Sequence, residues 1–96
     1  MKVIGLIHLL DAAAFEDYRA QVGATVERYG GQVVFRGKVF AMPWNELNCQ
    51  GFEAMVELSF PSEATAQAWI ASPEYSALLA VRSKAMRLTL FGALAS

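Results

Sequence analysis

Apolar and polar positions follow two different periods in the first third of the chain. A short, nearly continuous apolar run from Val3 to Leu9 contains β-branched residues and predicts a strand. Asp11 then supplies a helix N-cap, and apolar residues follow it at helical spacing, namely Phe15, Tyr18, Val22, Val26 and Tyr29. The pair Gly30-Gly31 ends this stripe as a left-handed cap. The pattern therefore predicts one strand followed by one amphipathic helix.

Two further strands are predicted in the middle of the chain. The segment from Gln32 to Met42 is rich in Val and Phe, and a bulge is expected at Gly37. A polar loop over Pro43–Gly51 separates this segment from Phe52–Phe60, where apolar and polar residues alternate. Such alternation is typical of a strand that places one face in the core and turns the other away from it.

The last third of the chain predicts a divided helix and a final strand. Ser62 is a helix N-cap, and the core side of the helix that it starts is expected at Ala66, Trp69 and Ile70. Ser72 and Pro73 start the helix again, and Tyr75, Leu78, Leu79 and Arg82 follow at helical spacing. The segment Arg87–Phe91 is expected to be the last strand.

The predicted order is thus β-α-β-β-α-β over one domain, residues 1–96. This is the α+β, ferredoxin-like arrangement, a four-stranded antiparallel sheet with both helices on one face. Two helices cover only one side of such a sheet. The other face therefore meets either water or a second sheet.

Composition favours a second sheet over water. Hydrophobic residues make up 55% of the chain, and charged residues make up 18%, below the usual value of about 25%. A chain of this length buries a modest core of its own, so the apolar surplus is expected to be covered by a partner. The simplest partner is a second copy, which predicts a homodimer, a dimeric α+β barrel.

Charge and single residues exclude several function classes. The net charge is −1 and no run of like charge exceeds two residues, which argues against a nucleic-acid partner. One histidine and one cysteine, His8 and Cys49, supply neither an intrachain disulfide nor the four ligands of a structural zinc site. The chain has no phosphate loop, dinucleotide fingerprint or nucleophile motif, so no cofactor and no metal are expected.

The amino-terminal segment resembles a signal peptide in miniature, because Lys2 precedes an apolar run and three alanines. The whole element is about 14 residues long, shorter than the ~15–30 residues of a secretory signal. We interpret Lys2–Leu10 as a strand and expect a cytoplasmic protein. The apolar runs are too short to span a membrane, so no membrane association is expected.

Several segments resemble one known family. Three of them, Phe60-Pro61-Ser62, Ala66 to Trp69 and Ser72-Pro73-Glu74-Tyr75, occur in order at family-like distances, so the chain from Val3 to Phe91 resembles domain of unknown function 1330. The resemblance implies a small cytosolic protein of the dimeric α+β barrel superfamily. Relatives in that superfamily include cofactor-free monooxygenases, muconolactone-type isomerases, haem-degrading enzymes and ligand-sensing domains.

Two departures from the family pattern lie where a ligand would be expected. The family often has an aromatic pair at the position of Trp69-Ile70, and many members have a shorter or different stretch at the position of Pro43–Gly51. No relative's substrate is therefore carried over to this chain.

Three residues are candidate catalytic groups. If Val56 and Leu58 pack on the helices, then Glu53 and Glu57 point the other way, and Arg36 and Lys38 are expected on that same face, opposite Val33 and Phe35. In a cofactor-independent isomerisation or oxygenation, His8 or Glu57 would accept a proton and Arg36 would stabilise an anion. The alternatives are salt bridges at an interface or simple solvent exposure and, for His8, a hydrogen-bonded structural role.

Four aromatic residues and one arginine are candidate ligand-binding groups. Tyr18, Trp44, Trp69 and Tyr75 would line a pocket for a planar compound, and Arg82 would bind a carboxylate. Core packing explains Tyr18 and Trp69 equally well, and a helix-end or Glu contact explains Arg82. Trp44 lies on the loop and would be either a lid or an anchor for the partner subunit.

The sequence thus leaves three functions open. The protein binds and perhaps transforms a small organic molecule, or it is a non-catalytic binding or sensing module, or it is a structural dimer with a filled core. A cavity of roughly 300 Å³ near Trp44 or Trp69 would distinguish the first two from the third.

Overall fold

The computed structural model describes residues 1–96. Its strands are β1 (Lys2–Leu9), β2 (Gln32–Lys38), β3 (Ala54–Ser59) and β4 (Met86–Ala93). Its helices are α1 (Ala12–Arg28), α2 (Glu63–Ile70), α3 (Pro73–Ser76) and α4 (Leu79–Ala85). The second helical region therefore has three short pieces, one more than the sequence predicts.

The four strands form one antiparallel sheet in the order β2-β3-β1-β4, with β1 and β3 at its centre. This order and the alternation of helices and strands define a ferredoxin-like fold, so the predicted α+β class is confirmed. The two edge strands are β2 and β4.

The hydrophobic core lies between the helices and one face of the sheet, which we call the helix face. Val3 of β1 pairs with Leu58 of β3, and both side chains are buried there. Trp69 and Val26 cover them from the helices and are themselves fully buried. The opposite side, the open face, carries residues of the other parity, namely Ile4, Leu6, His8, Met55, Glu57 and Phe91.

Polar caps fix the helix ends where the sequence places them. The carboxylate of Asp11 accepts a hydrogen bond from the backbone N–H of Ala14 at 2.9 Å, and Gly30 adopts a left-handed φ of 80° after α1. The hydroxyl of Ser72 accepts from the backbone N–H of Tyr75 at 3.1 Å, which starts α3. These predicted helix boundaries are confirmed.

The structure corrects three predictions about local geometry. Strand β2 ends at Lys38 rather than Met42, because beyond the bond from Val39 N–H to the Glu53 carbonyl the chain has no partner strand. Its bulge lies between Val33 and Phe35, not at Gly37. Ile70 is 45% exposed instead of buried, because the neighbouring Trp69 occupies the core side of α2.

Candidate functional site

A cavity of about 430 Å³ lies between α1 and the helix face of the sheet. Fourteen of its nineteen lining residues are hydrophobic. Helix α1 contributes Phe15, Tyr18 and Val22, while the sheet contributes residues of all four strands and α2 contributes Trp69. The cavity is therefore an apolar space enclosed by the core elements and open at one side.

Helical spacing explains why α1 presents these side chains together. Phe15, Tyr18 and Val22 are separated by three and four residues, which places them on one side of the helix. Asp11 sets the starting point of this stripe by capping the helix. The absence of a side chain at Gly5 makes room for Val56, which lines the cavity, since a Cβ at Gly5 would approach Val56 Cγ1 to 2.9 Å.

The bulge in β2 decides which side chains reach the cavity. Because one extra residue of β2, Val34, lies between consecutive pairs with β3, Phe35 pairs with Glu57 on the open face and Arg36 pairs with Val56 on the helix face. Arg36 and Lys38 both line the cavity. The prediction that Arg36 and Lys38 share a face with Glu57 is therefore wrong, as is the placement of Phe35 on the same face as Val33.

The charged residues of the cavity lie at its rim. Arg19 of α1, Arg36 and Lys38 of β2, and Glu53 line the opening, and all four are exposed. Arg19 lies 5.9 Å from the centre of the Phe15 ring and 3.8 Å from the carboxylate of Glu16. Arg36 and Lys38 have no carboxylate within ion-pair distance.

A chain of hydrogen bonds runs behind the cavity wall. The hydroxyl oxygens of Tyr18 and Tyr75 lie 2.9 Å apart, and Arg82 Nη1 donates to the Tyr75 oxygen at 3.0 Å. Burial is the main cause that raises the pKa of Tyr18 far above its usual value. Tyr18 therefore stays protonated and acts as a hydrogen-bond donor or acceptor, not as a phenolate.

Trp69 completes the cavity wall from α2. Its ring lies 4.6 Å from that of Tyr75 between centroids, and its indole N–H donates to the hydroxyl of Thr25 at 3.0 Å. Of the five predicted ligand-binding residues, Tyr18 and Trp69 line the cavity. Tyr75 and Arg82 lie behind the cavity wall, where Tyr75 contacts the hydroxyl of Tyr18 and Arg82 donates to Tyr75.

His8 lies on the opposite side of the sheet from the large cavity. It lines a smaller depression of about 180 Å³ together with Arg87 and Cys49. Its Nδ1 lies 2.9 Å from a carboxylate oxygen of Glu53, and the other oxygen of Glu53 accepts from the backbone N–H of Leu9 at 3.2 Å. The contact with His8, and then that with Leu9, hold the pKa of Glu53 below its usual range.

The remaining predicted residues lie away from the large cavity. Glu57 is on the open face, where its carboxylate is 3.4 Å from the ammonium of Lys2. Trp44 is 78% exposed on the loop between β2 and β3 and lines neither space. The three predicted catalytic groups are thus not brought together, because Arg36 lines one cavity while His8 and Glu57 lie across the sheet.

Sequence reasoning missed one charged residue of the rim, Arg19, and misplaced two others. Arg19 lies four residues after Phe15, so helical spacing alone would have placed it beside the stripe that lines the cavity. Unbroken alternation along β2 places Arg36 and Lys38 on the open face. The bulge shifts the alternation by one residue, so both lie on the helix face instead. A run of three large residues, Val33 to Phe35, is the one signal of that irregularity in the sequence.

The fold and the cavity together define a small ferredoxin-like α+β domain with an apolar space between its first helix and its sheet. The chain belongs to the family described as Domain of unknown function (DUF1330), whose sequence profile matches residues 3–92. The resemblance derived from the sequence is therefore confirmed over nearly the whole chain. No curated protein sequence matches the chain.

Solved structures share this fold at low sequence identity. The RPA0582 protein of unknown function from Rhodopseudomonas palustris is 23% identical, with a TM-score of 0.74 over 99% of this chain and 82% of its own. The protein At3g17210 from Arabidopsis thaliana is 14% identical, with a TM-score of 0.73 and coverages of 99% and 94%. SnoaB, a cofactor-independent oxygenase from Streptomyces nogalater, is 15% identical, with a TM-score of 0.61 and coverages of 99% and 93%.

The structure shows neither a membrane-spanning helix nor a cluster of metal ligands. None of the helices combines the length and apolar character needed to cross a membrane. No three side chains among His, Cys, Asp and Glu converge in a way that would hold a metal ion.

Proposed function

We propose that this protein binds a small, largely apolar organic molecule in the cavity between α1 and the sheet. The supporting observation is the cavity itself, about 430 Å³ and lined mainly by hydrophobic side chains. Ligand sites commonly occupy about 300–1,000 Å³ and are predominantly apolar. A filled structural core would leave no such space beside Trp69, so binding is favoured over the purely structural alternative.

A neutral aromatic probe, 2-naphthamide, tests this proposal. Its addition is expected to move the NMR signals of cavity residues such as Val22 and Leu88, and to leave those of the open face in place. Substituting Ala54→Leu puts a larger side chain into the cavity wall and is expected to weaken binding about tenfold. Ala24→Leu is the matched control, because Ala24 is exposed on α1. Unchanged signals of the cavity residues at millimolar probe would refute the proposal.

Cofactor-independent turnover is a second candidate. SnoaB, which has the same fold, is described as a cofactor-independent oxygenase. In this chain Tyr18 offers a hydroxyl at the cavity and Arg36 offers a cation at its rim, whereas His8 and Glu57 lie on the other side of the sheet. Binding or sensing without proton transfer by His8 or Glu57 therefore has the better support. If the protein has a cofactor-independent activity, and His8→Ala or Glu57→Ala abolishes it without unfolding the protein, turnover becomes the better supported function.

The same proposal includes a homodimer formed through the open face. Apolar side chains stand unshielded there, with Phe35 52% and Phe91 48% exposed and Ile4, Leu6 and Met55 beside them. A second sheet is the surface whose shape and chemistry fit this face, because both would be apolar and similarly twisted. The observation that supports the dimer is therefore this row of exposed apolar side chains.

Native mass spectrometry tests the dimer directly. Phe91→Glu is expected to convert the dimer into a monomer, since it would bury a carboxylate against apolar groups. Leu79→Glu is the matched control, because Leu79 has a similar exposure of 40% but lies on α4, away from the open face. A wild-type monomer at micromolar concentration, or dissociation by both substitutions alike, would exclude this interface.

A cytoplasmic location completes the proposal. The single cysteine, Cys49, is free and exposed, which fits a reducing compartment. Fractionation of cells expressing the protein is expected to recover it with the cytoplasmic markers.

A further inference from the structure

The rim of the large cavity has a charge of the opposite sign to the whole protein. Three of its four charged residues are the cations Arg19, Arg36 and Lys38, and one is the acid Glu53. The chain as a whole has a net charge of −1. Positive charge is therefore concentrated where a ligand would enter.

The existing acid at the rim is already engaged. One carboxylate oxygen of Glu53 lies 2.9 Å from His8 Nδ1, and the other accepts from the backbone N–H of Leu9 at 3.2 Å. Neither oxygen forms an ion pair with Arg36 or Lys38. Glu53 thus holds the end of β1 and leaves the two cations of β2 without a counter-charge.

The β2 bulge places these two cations side by side. Arg36 and Lys38 are two residues apart on the helix face, which puts their backbones about 6–7 Å from each other along the strand. Guanidinium groups bind carboxylates through two parallel hydrogen bonds, and an ammonium adds a point charge. Both side chains are long enough to contact one anionic group at the opening.

We propose that the ligand is an amphipathic organic anion, with an apolar body inside the cavity and a carboxylate or similar acid group held at the rim by Arg36 and Lys38. This inference rests on the proposed function and specifies its ligand class. The apolar wall formed by Phe15, Val22 and Leu88 receives the body of the ligand. Arg19, on the facing helix, adds a third positive charge across the opening.

The affinity of the cavity depends on the sign of the ligand's charge. A neutral ligand of the same shape would leave Arg36 and Lys38 hydrated. Its binding free energy would come only from contact with the apolar wall. A cationic ligand would be repelled by the two unpaired cations, Arg36 and Lys38. Because the rim is exposed, the attraction is screened by salt and is therefore strongest at low ionic strength.

Two probes of nearly identical shape separate charge from apolar burial. The anion 2-naphthoate and the neutral 2-naphthamide share the same ring system, and their dissociation constants are measured by NMR titration at low and high salt. We expect 2-naphthoate to bind about tenfold more tightly at low salt, and most of this preference to disappear at 1 M salt.

Substitution of the rim cations provides the second measurement. The double variant Arg36→Gln/Lys38→Gln is expected to bind both probes equally, with affinity for 2-naphthamide unchanged. Lys84→Gln is the control, because it removes a positive charge on α4, outside the cavity. It should leave the preference for 2-naphthoate intact.

The outcomes distinguish this inference from the proposed function. Equal binding of the two probes to the wild-type cavity would overturn the anionic ligand class and leave the proposed function standing. Binding of neither probe would overturn both. A preference that survives the double variant would show that the rim cations of β2 do not hold the acid group.

Discussion

The hydroxyl oxygens of Tyr18 and Tyr75 lie 2.9 Å apart, with their rings edge to face at 81°. The Tyr75 oxygen also accepts from Arg82 Nη1 at 3.0 Å. Two hydroxyl protons are thus available for one contact between the oxygens. If Tyr75 donates to Tyr18, the Tyr18 proton remains free for an acceptor in the cavity that Tyr18 lines. The opposite arrangement would leave a buried Tyr75 proton without an acceptor, which is costly.

Removal of the middle hydroxyl is expected to cost more stability than removal of the outer one. Tyr75→Phe leaves both Arg82 and Tyr18 without their partner and should lower the free energy of unfolding by about 1–3 kcal/mol. Tyr18→Phe removes one end of the chain and should cost about 1 kcal/mol. Urea denaturation of both variants measures the difference.

The double variant provides the check on this pair. The two losses should fail to add, with a coupling of at least ~0.5 kcal/mol, because the residues share one hydrogen bond. Additive losses would contradict a hydrogen bond between the two hydroxyls, and a larger cost for Tyr18→Phe would contradict the middle position of Tyr75.

A methyl group at Gly5 is expected to close part of the cavity. Gly5→Ala would bring a Cβ to 2.9 Å from Val56 Cγ1 and 3.2 Å from Leu88 Cδ1, both in residues that line it. Such overpacking should cost about 1–3 kcal/mol of folding free energy and weaken the binding of 2-naphthamide. Thermal unfolding and NMR titration measure the two effects.

Gly23→Ala is the matched control for that substitution. Gly23 lies inside α1 and has open space around it, so its substitution should stabilise the protein by about 0.5–1 kcal/mol. If Gly5→Ala were equally stabilising, the sheet would have room at that position and the placement of Val56 would not depend on glycine.

The contact between His8 and Glu53 predicts a specific pH dependence. The hydrogen bond with His8, followed by that from Leu9 N–H, lowers the pKa of Glu53, so the folded state favours its carboxylate form. This contribution to stability is present above the usual range of a glutamate pKa and is lost as the pH falls through the lowered pKa. An NMR titration of the Glu53 carboxyl should therefore show a midpoint below that of an ordinary glutamate.

His8→Ala should raise this midpoint towards the ordinary range. Glu74 is an internal control, since its pKa is lowered mainly by the hydrogen bond from the Tyr29 hydroxyl at 2.6 Å. Its midpoint should not move in the same variant. If the titration midpoint of Glu53 is the same in His8→Ala as in the wild type, the backbone N–H of Leu9 alone lowers the pKa of Glu53.

The two tryptophans allow the role of the β2–β3 loop to be measured. Trp69 is 1% exposed and Trp44 is 78% exposed, so Trp69→Phe leaves Trp44 as the single indole emitter. Because Trp44 lines neither cavity, we expect it to anchor the partner subunit instead of closing over a ligand. In the Trp69→Phe background, its emission should lie at longer wavelength in Phe91→Glu than in the unsubstituted dimer. If Trp44 emits at the same wavelength with and without Phe91→Glu, the loop does not contact the partner subunit.

The regular spacing of apolar residues is enough to predict the helices and strands of the fold. The position of the bulge in β2 and the full lining of the cavity are not predicted, because they depend on how separate elements pack together. The α1 stripe and the caps at Asp11 and Ser72 are local signals, and each forms as predicted. The face of Arg36 depends on one extra residue in β2, whose effect appears only when β3 is paired with it. A cavity likewise results from several elements meeting, and no single segment encodes it.

The bulge at Val34 determines which side chains each surface of the sheet receives. If Val34 instead took the ordinary position opposite Glu57, the alternation of β2 would continue unbroken, so Phe35 would turn inward and the side chains of Arg36 and Lys38 would turn outward. Two cations would then lie on the face proposed to meet a second copy, and an aromatic ring would lie at the ligand entrance. Ligand choice and subunit pairing are thereby linked, because one local irregularity in an edge strand sets both.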